Sequence, residues 1–321
     1  MPKTGSTGMS SALVARATRF FAPRRVPVVG LDLPLFKRRG VRVSVQQEYA
    51  LHPAVSGNKW RKLKYNLLAA AGGAHDRLVT MGGAYSNHLV AVAAAGAELG
   101  LATLGYVRGE ARLPLNPRLQ YCADRGMALH YVSRPDFRRL RSDAAYLAER
   151  LTALPGRPYW LPEGGTNALA VRGCTEIWDQ WADRPAPDVA LVCAGTGGTA
   201  AGLIAGAPAG TRGEVVAVLK GDFLQADIAR YLPADRATDW SLLTDYHFGG
   251  YAKCPPALLD FLIVFRRQSG LPVEPIYTGK LFYGLLDRIE RGVYAPGTHL
   301  LVVHTGPAPR WCEAAHFTST R

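Results

Sequence analysis

Ser56-Gly57-Asn58-Lys59-Trp60-Arg61-Lys62-Leu63 is the stretch from which the rest of the chain is best read. A small polar turn precedes apolar residues Trp60, Leu63, Leu67 and Leu68 at helical spacing, which predicts a helix whose first turn carries Lys59. A helix N-terminus bears partial positive charge, so it disfavours an ammonium and favours the neutral amine. Neutral amines attack carbonyl groups. The same residues also read as a solvated basic helix start, with Arg61, Lys62 and Lys64 around Lys59.

Outward from that turn, helix and strand alternate. Residues 60–71 (helix), 77–81 (strand), 86–99 (helix), 101–107 (strand), 114–125 (helix), 128–132 (strand), 136–154 (helix) and 159–161 (strand) form one set. Such alternation implies right-handed crossovers and a parallel sheet. A second set starts with the apolar strand 189–193 and continues through strand 214–219, helices at 222–231, 256–268 and 279–291, and a buried strand at 300–303. Residues 41–45 alternate as a strand. The expected fold is α/β with two lobes, each a mainly parallel sheet flanked by helices: 60–162 as a small domain, 1–59 and 163–321 together as a large one. Residues 1–24, polar, basic and without a sustained apolar period, are expected to be partly disordered.

Composition narrows the function classes. Hydrophobic residues make up 48% of the 321, and no apolar run approaches the roughly 18 residues that span a bilayer. With no secretory h-region either, a cytoplasmic protein is expected. The cysteines, Cys122, Cys174, Cys193, Cys254 and Cys312, are scattered and form no C-x-x-C pair, so neither a disulfide framework nor a metal site is expected. The net charge is +13, more than half of it from residues 1–40, where eight Lys and Arg face only Asp32. A basic head of this kind could contact nucleic acid, yet no recognition pattern for nucleic acid accompanies it.

Several loops could bind a ligand. Gly195-Thr196-Gly197-Gly198-Thr199 lies between a strand and a helix, where converging backbone N–H groups and the helix dipole suit a phosphate. With Ala200 it also matches the dinucleotide pattern G-x-G-x-x-A, although Lys220 ends the following strand where an acid for ribose is usual. Ser86-Asn87-His88 starts a helix, where it reads as an ordinary cap, a carboxylate nest or a set of hydrogen bonds to a cofactor ring. Tyr277-Thr278-Gly279-Lys280 puts a phenol and a hydroxyl before another helix, and His304-Thr305-Gly306-Pro307 follows the last strand.

Taken together, Gly57-Asn58-Lys59-x-Arg61-Lys62, Ser86-Asn87-His88, Pro162-Glu163-Gly164-Gly165 and Tyr277-Thr278-Gly279-Lys280 resemble the pyridoxal-phosphate enzymes of the tryptophan-synthase-β fold group (fold type II). The nearest branch contains D-cysteine desulfhydrase and 1-aminocyclopropane-1-carboxylate deaminase, and the likeness spans about residues 26–309. It implies pyridoxal 5'-phosphate as cofactor, with Lys59 forming the Schiff base and then serving as base at the substrate α-carbon. It also implies that Asn87 bonds the ring hydroxyl, that Gly195, Thr196, Gly197, Gly198 and Thr199 hold the phosphate, and that Thr305 meets the ring nitrogen. Ser86, Asn87, His88, Tyr251 and Tyr277 would contact a small amino-acid substrate, Ser86 and Tyr277 with catalytic parts. A homodimer is implied as well.

A hydroxyl rather than a carboxylate at the ring nitrogen makes a weaker electron sink, which suits β-elimination. Family deaminases of the cyclopropane substrate have Glu directly after the tyrosine, whereas this chain has Thr278. The expectation is therefore a β-eliminating lyase acting on D-cysteine or a related amino acid, with pyruvate, ammonia and sulfide as products. Ring opening and racemisation are the alternatives on the same scaffold, and a nucleotide- or RNA-binding protein is the alternative from another class. Tyr85, Val90 and Pro307 depart from the family pattern, where Gln, Arg and Gly are common.

Overall fold

The computed structural model describes residues 6–236 and 240–306. In chain order the elements are α1 (Ser6–Phe20), β1 (Val28–Leu31), α2 (Pro34–Arg39), β2 (Arg42–Gln47), α3 (Asn58–Gly72), β3 (Arg77–Gly83), α4 (Asn87–Leu99), β4 (Ala102–Arg108), α5 (Pro117–Asp124), β5 (Met127–Val132), α6 (Arg134–Ser142), α7 (Ala144–Thr152), β6 (Pro158–Leu161), α8 (Ala168–Thr175), β7 (Val189–Ala194), α9 (Gly198–Ala205), β8 (Arg212–Ala217), α10 (Phe223–Ala229), β9 (Trp240–Leu243), α11 (Pro256–Ser269), α12 (Thr278–Glu290) and β10 (His299–His304). Two compact units result, one holding residues 6–24 and 62–170, the other 25–61 and 171–306.

The first unit is built on a four-stranded parallel sheet in the order β5-β4-β3-β6. One sheet face buries Val79, Met81, Leu104 and Tyr106 against Phe137 and Leu140 of α6. The alanine-rich α4 is buried along almost its whole length, and it stops at Gly100 in the left-handed conformation that glycine adopts without strain. Residues 163–170 belong to this unit because Lys62 Nζ donates to Thr166 Oγ1 (2.7 Å) and Asn66 and Asn167 exchange side-chain bonds.

Two expectations are corrected here. The helix expected over 136–154 is two helices: Asp143 adopts extended backbone, and its carboxylate accepts from Tyr146 N (2.9 Å), capping α7. Residues 6–20 of the segment expected to be partly disordered form α1. Its Leu13, Val14, Ala17 and Phe20 recur at three- and four-residue spacing, Ala17 is fully buried, and Arg16 donates to Leu99 O at the end of α4 (3.0 Å).

The second unit holds a six-stranded sheet in the order β1-β2-β10-β7-β8-β9, parallel except for the β1–β2 edge pair. Helices cover both faces, which is why β7 and β10 are apolar without alternation. Val189, Leu191 and Cys193 of β7 join Leu300 and Val302 of β10 under α11 and α12. Ala190, Val192 and Ala194 join Leu301 and Val303 beside α9, Trp178 and Trp181 on the other face. Fully buried side chains of this kind, such as Phe282 and Leu285, each contribute about 1.5–3 kcal/mol. β9 escaped the sequence reading because it is only four residues long and next to the polar stretch 234–239. Among the described residues no helix is long and apolar enough to cross a membrane.

Candidate active site

In the second unit, the turn before α3 is fixed by sterics. Gly57 has φ of +61°, and a Cβ there would overlap the carbonyl oxygen of Thr305, so the turn lies directly on the backbone after β10. Asn58 then bridges two expected site elements. Its Nδ2 donates to Thr199 Oγ1 in the glycine loop (2.8 Å), while its Oδ1 accepts from Lys59 Nζ (3.4 Å). Lys59 is the second residue of α3, and its amine is lowered to about 8. The main cause is burial, which outweighs the opposing influence of Cys174 and Cys193. The helix dipole invoked from sequence acts in the same direction but is not the chief cause.

The glycine loop leads from β7 into α9. Gly197, with φ of +76°, is the N-cap, and among the described residues no side chain caps this helix end, which leaves first-turn N–H groups for an anion. Tyr277 lies against this loop, since a Cβ on Gly195 would be 3.4 Å from its Cε1. Its hydroxyl is 3.5 Å from that of Tyr251, the two rings meeting edge to face at 6.0 Å. Burial, chiefly, raises the Tyr277 phenol well above its ordinary value, so it stays protonated and can donate. Glu274 holds the start of α12 by accepting from the backbone N–H groups of Ile276, Tyr277 and Thr278 (2.8, 2.7 and 3.0 Å), while Thr278 Oγ1 accepts from Glu274 N.

Thr305 follows β10, with its Oγ1 3.5 Å from the buried Cys193 thiol. Burial pushes that thiol up to about 12, so it is neutral and inert. The preceding His304 is fully buried: its Nε2 donates to Pro272 O (2.9 Å) and its Nδ1 accepts from Gly306 N (3.2 Å). That pairing requires the neutral ring, and burial lowers His304 to about 4. Below pH 6.5 the unfolded chain binds a proton at this residue that the folded chain does not, so stability falls as pH falls. We expect a loss of about 3 kcal/mol from this residue between pH 6.5 and 4. Urea titrations of the wild type and His304→Asn across that range test it: a wild-type pH slope no steeper than the variant's would refute the assignment.

In the first unit, Ser86, Asn87 and His88 stand together at the start of α4. Ser86 Oγ accepts from His88 N and Leu89 N (3.2 and 3.3 Å), so it is the N-cap. Asn87 keeps a buried Oδ1 that has no hydrogen-bond partner among the described residues. Such an atom is costly unless a ligand satisfies it. His88 is buried, its Nε2 is 2.8 Å from Thr80 Oγ1, and Thr80 in turn donates to Leu161 O (2.9 Å). Gly165 passes so close to this ring that an added Cβ would be 2.8 Å from His88 Cε1. This places His88 as a support beneath the Ser86–Asn87 turn. Pro307 lies outside the described residues.

Sequence reasoning missed three parts of this arrangement. Asn58 stands in the quoted motif, but its bond to Thr199 spans 141 positions and leaves no local signal. Glu274 could have been found, since an acid four residues before Thr278 resembles a reciprocal helix cap. Glu48, fully buried, pairs with Arg61 through guanidinium Nε and Nη2, and nothing in its neighbourhood announces that.

The family model described as pyridoxal-phosphate dependent enzyme matches residues 21–306. A Pyrococcus horikoshii protein provisionally named 1-aminocyclopropane-1-carboxylate deaminase is 30% identical over 292 residues, which is 85% of this chain and 87% of its own. D-cysteine desulfhydrase of Klebsiella pneumoniae is 28% identical over 313 residues, or 89% and 94% of the two chains. Among solved structures, one described as an ACC deaminase homologue superposes with a TM-score of 0.76 at 25% identity, covering 91% of this chain and 94% of its own.

Proposed function

This chain belongs to the pyridoxal-phosphate dependent enzyme family, and on that premise we propose that it is a lyase that eliminates the β-substituent of a small amino acid such as D-cysteine, releasing pyruvate, ammonia and sulfide. The observation that carries the reading is the Asn58 bridge, which ties the Lys59 amine to the glycine loop through Thr199. The residues fit the cofactor. An uncapped helix start suits its phosphate, an amine lowered by burial to about 8 suits its aldehyde, and the unsatisfied Asn87 Oδ1 and the Thr305 hydroxyl suit its ring. When bound, pyridoxal phosphate supplies an electron sink conjugated to the substrate α-carbon.

The chain's own groups then divide the work. Lys59 holds the cofactor and, its amine lowered to about 8 so that the neutral form is within reach near physiological pH, takes the α-proton. Asn87 and Thr305 orient the ring, and a hydroxyl at Thr305 cannot keep the ring nitrogen charged as a carboxylate would. Ser86 and the adjacent α4 N–H groups receive the substrate carboxylate. Tyr277, protonated throughout, donates a hydrogen bond to the departing sulfur, with Tyr251 beside it. We further take the enzyme to be cytoplasmic and homodimeric.

Thr278 favours elimination over cyclopropane ring opening. Its hydroxyl accepts from Glu274 N, and Glu274, the acid four residues before it, is committed to three backbone N–H groups at the start of α12. Assays of the holoenzyme with D-cysteine, L-cysteine, β-chloroalanine and 1-aminocyclopropane-1-carboxylate test this. Pyruvate and sulfide from D-cysteine, with turnover of the cyclopropane at least about 100-fold slower, are expected, a ratio equivalent to about 2.7 kcal/mol. Preference for the cyclopropane would reverse the assignment.

A further inference from the structure

Lys280, in the first turn of α12 three residues after Tyr277, is fully buried. Its Nζ donates to His247 O and Gly250 O (2.8 Å each) and lies 3.4 Å from Val218 O. Three backbone carbonyls drawn from two segments thus converge on one ammonium. Carbonyl oxygens arranged in this way are how proteins bind a monovalent cation. The ammonium occupies that position on a covalent stem.

The segment it holds cannot keep its shape by local preference. Phe248, Gly249, Gly250 and Ala252 all have positive φ, at +53°, +88°, +118° and +58°. For Phe248 and Ala252 the left-handed region is strained, because Cβ comes too close to the following carbonyl oxygen. Within the arch, Gly249 N donates to His247 Nδ1 (2.9 Å), and Gly250 N and Lys253 N donate to the carbonyls of His247 and Gly250 (3.0 and 3.2 Å). Tyr251 sits on this arch, opposite Tyr277.

We propose that Lys280 is a positioning residue whose ammonium acts as a tethered monovalent cation, holding the 247–251 arch closed and so setting Tyr251 against Tyr277. The catalytic meaning of that placement rests on the proposed substrate contacts of the two tyrosines. The clamp itself does not.

The test is amide hydrogen exchange and steady-state kinetics on holo Lys280→Met in choline, potassium or ammonium chloride at equal ionic strength. In choline, exchange at residues 248–253 should rise about tenfold or more, as expected for losing hydrogen bonds to a charged group, and KM should rise more than kcat falls. Potassium or ammonium should restore both, and the wild type should be indifferent to the salt. Unchanged exchange in the variant, or an equal rise in all three salts, would overturn the clamp. If Lys280→Met does not fold, the ammonium resonance of Lys280 in 15N-lysine-labelled wild type decides: protection from solvent exchange supports the clamp, and fast exchange refutes it. If the clamp holds but no amino acid is turned over, only the proposed reaction fails.

Discussion

Replacing Lys59 with alanine should abolish the visible absorbance of the holoprotein and reduce elimination by about 10³-fold or more, the range over which a positioned acid–base group acts. Two separate roles converge on this amine. It is the only chain group proposed to bond the cofactor aldehyde, and it is the proposed proton acceptor at the substrate α-carbon. Its neighbours cannot replace it, because Asn58 offers an amide, the Cys193 thiol is held neutral, and Lys280 is engaged by backbone carbonyls. Lys59→Arg should lose the absorbance equally, since a guanidinium keeps charge but does not present a free amine. Both variants should fold, because the side chain's hydrogen bond among the described residues, to Asn58, is long (3.4 Å). A cofactor spectrum unchanged by either substitution would remove Lys59 from the mechanism.

Glu48→Ala should destabilise the second unit by about 3–5 kcal/mol, the usual cost of leaving a buried charge without its partner. Glu48 and Arg61 are both buried, and the guanidinium meets the carboxylate through Nε and through Nη2 (2.9 Å). Burial works against the Arg61 charge, and the adjacent Glu48 carboxylate more than offsets it, so the guanidinium is held above its ordinary value. Gln46 extends the network, donating to Glu48 Oε1 (2.7 Å) and accepting from Trp181 Nε1 (2.7 Å). Arg61 is two residues beyond Lys59 in α3, so weaker cofactor retention should accompany the lost stability. Urea midpoints of Glu48→Ala, Arg61→Met and the double variant separate the pair from its parts, and the double variant should be less damaged than Glu48→Ala. A loss below about 1 kcal/mol for Glu48→Ala would mean that water reaches Arg61 and that the pair does not anchor the helix start.

The parts of this molecule that were legible in the sequence are those written in short-range patterns. The apolar runs of β7 and β10 announced strands covered on both faces, and Gly57-Asn58 announced the start of α3. The glycine loop and the Ser86 cap were readable because conformational freedom and helix capping restrict residue choice within a few positions. What stayed hidden depends on distance along the chain. Burial, which chiefly lowers the Lys59 amine, is a property of the whole packed unit, and the motif gave only the weaker dipole argument. The break at Asp143 was masked because helix-forming residues continue on both sides of it, leaving a single capping acid as the signal. Lys280 stands in the Tyr277–Lys280 motif with no role legible there, because the three carbonyls around it belong to residues 218, 247 and 250, 30 or more positions away.

The order of strands in the larger sheet also bears on how the chain is made. β10 lies between β2 and β7, although about 250 residues separate it from β2 in sequence. During synthesis from the N-terminus, β2 therefore waits for its parallel neighbour until residue 304 has been added, while all four strands of the smaller sheet are available once residue 161 is made. A nascent chain stopped before residue 299 has unpaired edges on β2, which alternates apolar and polar residues, and on β7, which is apolar throughout, and both are prone to pair with other chains. The residue expected at the cofactor ring, Thr305, emerges directly after the strand that closes this gap, so the protein cannot present a complete site before its sheet is whole.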